Sequence, residues 1–181
     1  SLRESEERTR LALQGTFAGT WEWEIQTGHV VFDERWAEII GYTLPELLPT
    51  TIQTWSDLAH PDDLDFSNQR LQAHFAGQTK QYRCEARMRH KAGHCVWVLD
   101  SGCVTEWTED GRPKRMFGTH IDITESKQME GALRESEAKY RLIAEHTSDA
   151  IYVVNAKQQI LYVSPAQESM LGYSTDELLA L

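Results

Sequence analysis

A long-range repeat constrains this chain more than any other feature of its sequence. Leu2-Arg3-Glu4-Ser5-Glu6 returns as Leu133-Arg134-Glu135-Ser136-Glu137, an offset of 131 residues. With that offset held without a gap, Gly41-Tyr42 falls on Gly172-Tyr173 and Glu46-Leu47-Leu48 on Glu177-Leu178-Leu179. Thirteen of the forty-seven positions paired from Leu2 to Leu48 are identical, too many in one ungapped register to be scattered coincidence. Solenoid units repeat every 20–50 residues or so, so an interval this long makes each copy a domain. Domains run to roughly 100–150 residues, and the 181 residues hold one complete copy and the front of a second. With no Met at the start and an apolar helical pattern still running at Leu181, the chain reads as a piece of a longer protein.

The pattern within the first copy is α+β. A polar helix from about Leu2 to Gln14 forms an N-terminal flank over residues 1–15. Trp21, Trp23 and Ile25 then alternate with Glu22 and Glu24, the period of a half-buried strand. A Gln26-Thr27-Gly28 turn leads into His29 to Phe32, predicting a hairpin. Asp33 can cap a short helix carrying Trp36, Ile39 and Ile40 on one face, and a second short helix is expected around Pro45 to Leu48. Trp55 to Asp63 reads as the approach to a further helix, with Pro61 suited to its first position and Asp62 and Asp63 favourable beside the positive end of its dipole. Leu64, Leu71 and Phe75 mark that helix up to Gly77. Three long strands should follow, Tyr82 to His90, His94 to Trp107 and Lys114 to Ile123, completing a domain over residues 16–124. Residues 125–146 read as one connecting helix whose Met129, Leu133, Ser136, Tyr140 and Ile143 step by four and three, a coiled-coil seam with one polar member. Residues 147–181 hold the truncated second copy. Its two strands, Ile151 to Val154 and Ile160 to Val163, lack the three long partners; two strands alone are marginal in water, so this tail should pack on a neighbouring chain or be poorly ordered.

The net charge of −10 and pI of about 5.1 argue against a nucleic-acid backbone or an anionic membrane as partner, since both would repel the chain. No apolar run approaches the roughly 20 residues that cross a bilayer, so no direct membrane insertion is expected. Three irregularly spaced cysteines and no signal-peptide pattern favour a reducing, cytoplasmic setting, with Cys84, Cys95 and Cys103 as packing thiols. Cys95 and Cys103 cannot share a metal: eight strand residues at about 3.3 Å each separate them by about 26 Å.

Taken in order, Trp21-Glu22-Trp23, Gly41-Tyr42 with Glu46-Leu47, His60-Pro61-Asp62-Asp63, Glu85-Ala86-Arg87, the Lys91-Ala92-Gly93 turn with Trp97, and Gly118 followed by Asp122-Ile123-Thr124-Glu125 resemble a PAS domain with its C-terminal PAC motif. The subtype is similar to the PAS fold-3 group of bacterial multidomain sensors, and Leu133 starts a second copy. Lys-Ala-Gly stands where Lys-Asp-Gly is usual, a change that leaves the turn intact. The resemblance implies a five-stranded antiparallel sheet with short helices on one face and signalling helices at both ends. It also implies a cavity that in some members holds haem, flavin or a small metabolite.

The residues narrow those implications. Trp21, Trp23, Phe32, Trp36, Trp55 and Tyr82 would lie near the sheet-to-helix interface, where they could line a pocket or simply fill the core. The candidate pocket is Trp23, Phe32, Trp36, Ile40, Trp55, Leu71, His74 and Tyr82. Pro49-Thr50-Thr51-Ile52-Gln53 has no cysteine where flavin-adduct photochemistry would need one, and His74 is the histidine considered as a haem ligand. No catalytic constellation and no metal motif is present, so the fragment itself is not expected to be an enzyme. Asp122, Ile123 and Thr124 form the candidate signal relay, with Asp122 or Thr124 capping the connecting helix and Glu125 closing a box-like arrangement. The expected role is the input module of a bacterial sensor histidine kinase or GGDEF/EAL cyclic-di-GMP protein, sensing a small ligand or redox state. It should form a homodimer through its flanking helices and drive a C-terminal output domain. Two alternatives are a ligand-free dimerisation or protein-interaction module and a haem- or flavin-binding redox sensor.

Overall fold

The computed structural model describes residues 15–147, 149, 151–166, 170, 172 and 174. The helix expected over Leu2 to Gln14 lies outside them. The chain divides into two compact units at Lys127/Gln128. The first unit contains strands β1 (Gly19–Glu24) and β2 (His29–Phe32), helices α1 (Glu34–Ile39), α2 (Leu44–Leu47), α3 (Ile52–Leu58) and α4 (Pro61–Phe75), and strands β3 (Tyr82–Arg89), β4 (Cys95–Trp107) and β5 (Pro113–Asp122). Helix α5 (Thr124–His146) begins in the first unit, and the second adds β6 (Tyr152–Val154) and β7 (Ile160–Val163).

The first sheet is antiparallel in the order β2-β1-β5-β4-β3. The three long strands therefore fold back on the opening hairpin, with β5 inserted beside β1 by way of Trp21↔Gly118 and Trp23↔Met116. Period-2 alternation divides the sheet into two faces. Cys84, Ala86 and Met88 of β3, Val96, Val98 and Asp100 of β4, and Met116 and His120 of β5 are buried on the inner one. There they meet Trp36 and Ile40 after β2, and Trp55 and Leu58 of α3. Each large side chain so buried contributes roughly 1.5–3 kcal/mol.

Local chemistry fixes where the helices begin. The Asp33 carboxylate accepts from Trp36 N–H at 2.8 Å and from Thr20 Oγ1–H at 2.7 Å, tying the cap of α1 to β1. His60 caps α4, and its own N–H donates to Arg87 O of β3 at 2.8 Å. Asp63 does more than complement the helix dipole: it accepts from Arg87 N–H at 2.8 Å, Nε at 2.9 Å and Nη2 at 2.7 Å. That bidentate pair holds the Asp63 carboxyl below its ordinary pKa, with the Arg87 hydrogen bonds the chief cause.

Two expectations need correction. Ile52–Leu58 is a helix in its own right, capped by Thr51, rather than an approach to α4; its seven residues are too short for an apolar period to stand out. Cys84 is buried as expected, but Cys95 and Cys103 are exposed. Both share the β4 parity opposite Val96, Val98 and Asp100, which turns them to the outer face. In the second unit the two expected strands, β6 and β7, pair as a hairpin through Tyr152↔Val163 and Val153↔Tyr162, and most residues after Ala166 lie outside the described ones.

Candidate functional site

Between the inner face of the sheet and helices α3 and α4 lies a cavity of about 150 Å³. Trp21, Trp23, Val30 and Phe32 wall it from the opening hairpin, Ile52, Trp55 and Ser56 from α3, and Leu64, Ser67, Asn68 and Leu71 from α4. Tyr82, Asp100 and His120 close it from β3, β4 and β5.

One part of this wall is polar and buried. Asp100 Oδ1 accepts from Trp21 Nε1–H at 2.9 Å and lies 3.1 Å from His120 Nε2, while Oδ2 accepts from Tyr82 O–H at 3.2 Å. Ser67 Oγ stands 2.9 Å from the same phenol oxygen; since the Tyr82 proton goes to Asp100, Ser67 is the donor. Asp100, His120 and Ser67 are all nearly inaccessible to solvent. Burial first, and then the Asp100 charge, raise the Tyr82 pKa far above the usual phenol value, so Tyr82 stays a donor. The same two causes push the Cys84 thiol up to about 11, leaving it an unreactive packing group. Ser67 faces the Tyr82 phenol rather than an imidazole, so its hydrogen bond serves to hold Tyr82 in the cavity wall.

Two glycines make this network fit. Gly102 and Gly118 are cross-strand partners on β4 and β5, and the Trp21 indole lies against both. A Cβ at Gly102 would sit 2.6 Å from Trp21 Cη2, and one at Gly118 would overlap the indole and the Ser101 carbonyl. Only this close approach lets Trp21 deliver its N–H to Asp100.

His120 is two residues from Asp122, where the sheet passes into α5. Asp122 Oδ1 accepts from Thr124 N–H at 2.9 Å, an Asx-type turn at the start of the helix. Thr124 Oγ1 accepts from Trp97 N–H of β4 at 2.9 Å, and Ile123 N–H donates to Trp97 O at 2.9 Å. Lys127 pairs with Glu85 of β3 at 2.6 Å, and Lys127 and Arg87 each place their charge 5.5 Å from the Trp97 ring. The first turn of α5 is thus fastened to two strands besides the one it leaves.

Residues 29–120 match the family model described as PAS fold, and residues 138–180 match a second model of that description. The chain belongs to the PAS-fold family. Among similar proteins of known structure is the sensory box histidine kinase/response regulator of Burkholderia thailandensis E264, 34% identical, with a TM-score of 0.64 and coverage of 74% of this chain and 98% of that one. The probable diguanylate cyclase DgcE of Escherichia coli (strain K12) is 23% identical over 97% of this chain, and the sensor protein FixL of Bradyrhizobium diazoefficiens 25% over 96%. The chain spans 15% and 34% of those two relatives' lengths.

Of the eight candidate pocket residues, this PAS domain brings Trp23, Phe32, Trp55, Leu71 and Tyr82 to the cavity. Trp36 and Ile40 do not line it. Trp36 stacks on Phe32 with ring centroids 3.7 Å apart, and Ile40 fills the core beside it. His74 is also elsewhere: Nδ1–H donates to Thr79 O at 3.0 Å and Nε2 accepts from Val104 N–H at 3.1 Å, so both ring nitrogens are spent holding α4 to β4. With both nitrogens so engaged, His74 does not fit the role of a haem ligand. Sequence reasoning left Asp100, His120 and Ser67 unmarked. Strand parity could have put Asp100 and His120 on the inner face with Val98 and Met116, and a buried acid there asks for partners.

Proposed function

We propose that this chain is a sensory input segment of a longer bacterial signalling protein, a histidine kinase or a cyclic-di-GMP enzyme, in which the state of the first PAS cavity is passed to α5. The observation that carries the reading is the short covalent path from a cavity wall to a fastened helix start: His120 contacts Asp100 at the cavity, and Asp122 and Thr124 hold the first turn of α5. A shift of β5 against β4 alters both ends together, because the two strands are paired from Val98↔Asp122 through Asp100↔His120. The kinase and cyclase relatives, matched over part of their lengths, supply the kind of output expected. Within the chain we assign residues 16–124 to the complete PAS/PAC domain, 125–146 to the signalling helix and 147–181 to the start of the second domain.

The test uses the parent protein with its output domain. Leu71→Phe fills part of the cavity and is expected to shift kinase or cyclase output severalfold. Adding Thr124→Val or Asp122→Ala is expected to remove that shift while the circular dichroism spectrum stays native. Output that ignores Leu71→Phe, or responds to it equally in the double variants, overturns the relay.

The parent should also be a parallel homodimer. Met129, Leu133, Tyr140 and Ile143 of the seam are each more than half exposed, apolar surface that a second α5 would cover. Sedimentation of the chain should show a dimer that dissociates on dilution and is lost in Leu133→Glu; a monomer at every concentration contradicts this. The exposed free thiols of Cys95 and Cys103 suit a reducing compartment, supporting a cytoplasmic site of action. Among the described residues no helix is long and apolar enough to cross a membrane.

A further inference from the structure

We propose that the first PAS cavity takes an uncharged molecule about the size of one aromatic ring, bearing a hydrogen-bond acceptor such as a carbonyl oxygen that meets the indole N–H groups of Trp23 and Trp55. This rests on the sensory role proposed for the chain and names the chemistry of its ligand.

Size comes from the volume: at about 150 Å³ the cavity matches one that, lined by apolar side chains, holds a single benzene. Charge is decided by Asp100. Its two oxygens already accept from Trp21 and Tyr82 and one lies 3.1 Å from His120 Nε2, so the carboxylate has no strong need of a ligand cation, and its negative charge disfavours a ligand anion. The acceptor follows from the donors left over. Trp23 Nε1 and Trp55 Nε1 are buried with no hydrogen-bond partner, and Trp55 is only 8% exposed. A buried donor without a partner costs about 1–3 kcal/mol, so two such indoles among the residues that line one cavity favour a ligand that brings an acceptor to them. The third such indole, Trp36, sits off the cavity between Phe32 and His120 and takes no part. Of the remaining walls, Val30, Phe32 and Leu71 offer apolar contact to the ligand body, while Ser56, Ser67 and Asn68 add polar groups on the helix side.

Four probes of nearly one size and shape separate these requirements: acetophenone, cumene, benzoate and benzamidinium, each titrated into the 181-residue chain. Acetophenone is expected to bind about tenfold more tightly than cumene, the effect of one well-made hydrogen bond, and both charged probes more weakly than either. In proton–nitrogen correlation spectra acetophenone should move the indole N–H signals of Trp23 and Trp55 and leave that of Trp107 in place. Trp55→Phe keeps an aromatic wall without the donor and should narrow the acetophenone-to-cumene ratio. Cumene binding as well as acetophenone, a charged probe binding best, indole signals unmoved on binding, or no binding by any probe overturns the proposal. The relay test fills the cavity with a side chain rather than a ligand, so failure here and failure there are told apart.

Discussion

The two hairpins of this chain are one sequence solution in two surroundings. β1 and β2 pair through Trp21↔Phe32 and Glu22↔Val31, and β6 and β7 through Tyr152↔Val163 and Val153↔Tyr162, the same two pairs moved by 131 residues before the second hairpin slips by one at Val154↔Ile160. Even the closing bonds correspond: Asp33 N–H donates to Thr20 O at 3.1 Å, and Ser164 N–H to Ile151 O at 2.7 Å. The side chains fare differently. Trp21 is 7% exposed and Tyr152, its counterpart, 60%. The strand that makes the difference is β5, which adds to the free edge of β1 and brings Gly118 under Trp21. Turn and register are local properties; burial belongs to residues about a hundred positions away.

The widest gap should therefore be between two matched truncations. Trp21→Ala is expected to destabilise the first unit by about 4 kcal/mol, losing an aromatic side chain and the Asp100 hydrogen bond. Tyr152→Ala should change stability by less than about 0.5 kcal/mol. All six tryptophans precede residue 128, so urea unfolding followed by their fluorescence reports the first unit, and hydrogen exchange at Val153 and Tyr162 reports the second hairpin. Equal losses at both sites would mean that the second hairpin is as well supported as the first.

A smaller effect sharpens the contrast, because the Asp63–Arg87 pair is a long-range tie, holding α4 to β3, of a kind that builds the surroundings of the first hairpin. Asp63→Asn should cost about 1–2 kcal/mol near neutral pH, the range of a charge-assisted hydrogen bond partly open to solvent. The folded-state pKa of Asp63 lies below its ordinary 3.8, so the carboxylate's contribution is complete above that value and fades as pH falls through the lower, folded-state one. The difference between Asp63→Asn and the unaltered chain should accordingly close in acid, as measured by urea midpoints across that range. A difference that stays constant on acidification would remove the ion pair as its cause.

Much of this architecture was legible before any coordinates. The alternation of Trp21, Trp23 and Ile25, the Gly28 turn and the run from Tyr82 to Asp122 each announce their element because strands and turns answer to short-range pattern. The cavity was legible only in part. Trp23, Phe32, Trp55, Leu71 and Tyr82 stand out in the sequence as large side chains, whereas the partners of Asp100, His120 and Ser67 come into view only where three strands and a helix converge. His74 was marked for its chemistry, and its two ring nitrogens turned out to be occupied by Thr79 and Val104.

By itself, then, the sequence determined the repeat, most of the elements and the turns, the last two set by chain neighbours within a few residues. Tertiary structure alone decided which indoles meet a partner and that Asp100 is met by Trp21, Tyr82 and His120. Those outcomes depend on β5 pairing with both β1 and β4. The energy of a buried polar group is set by what surrounds it in space, and its neighbours along the chain do not specify that.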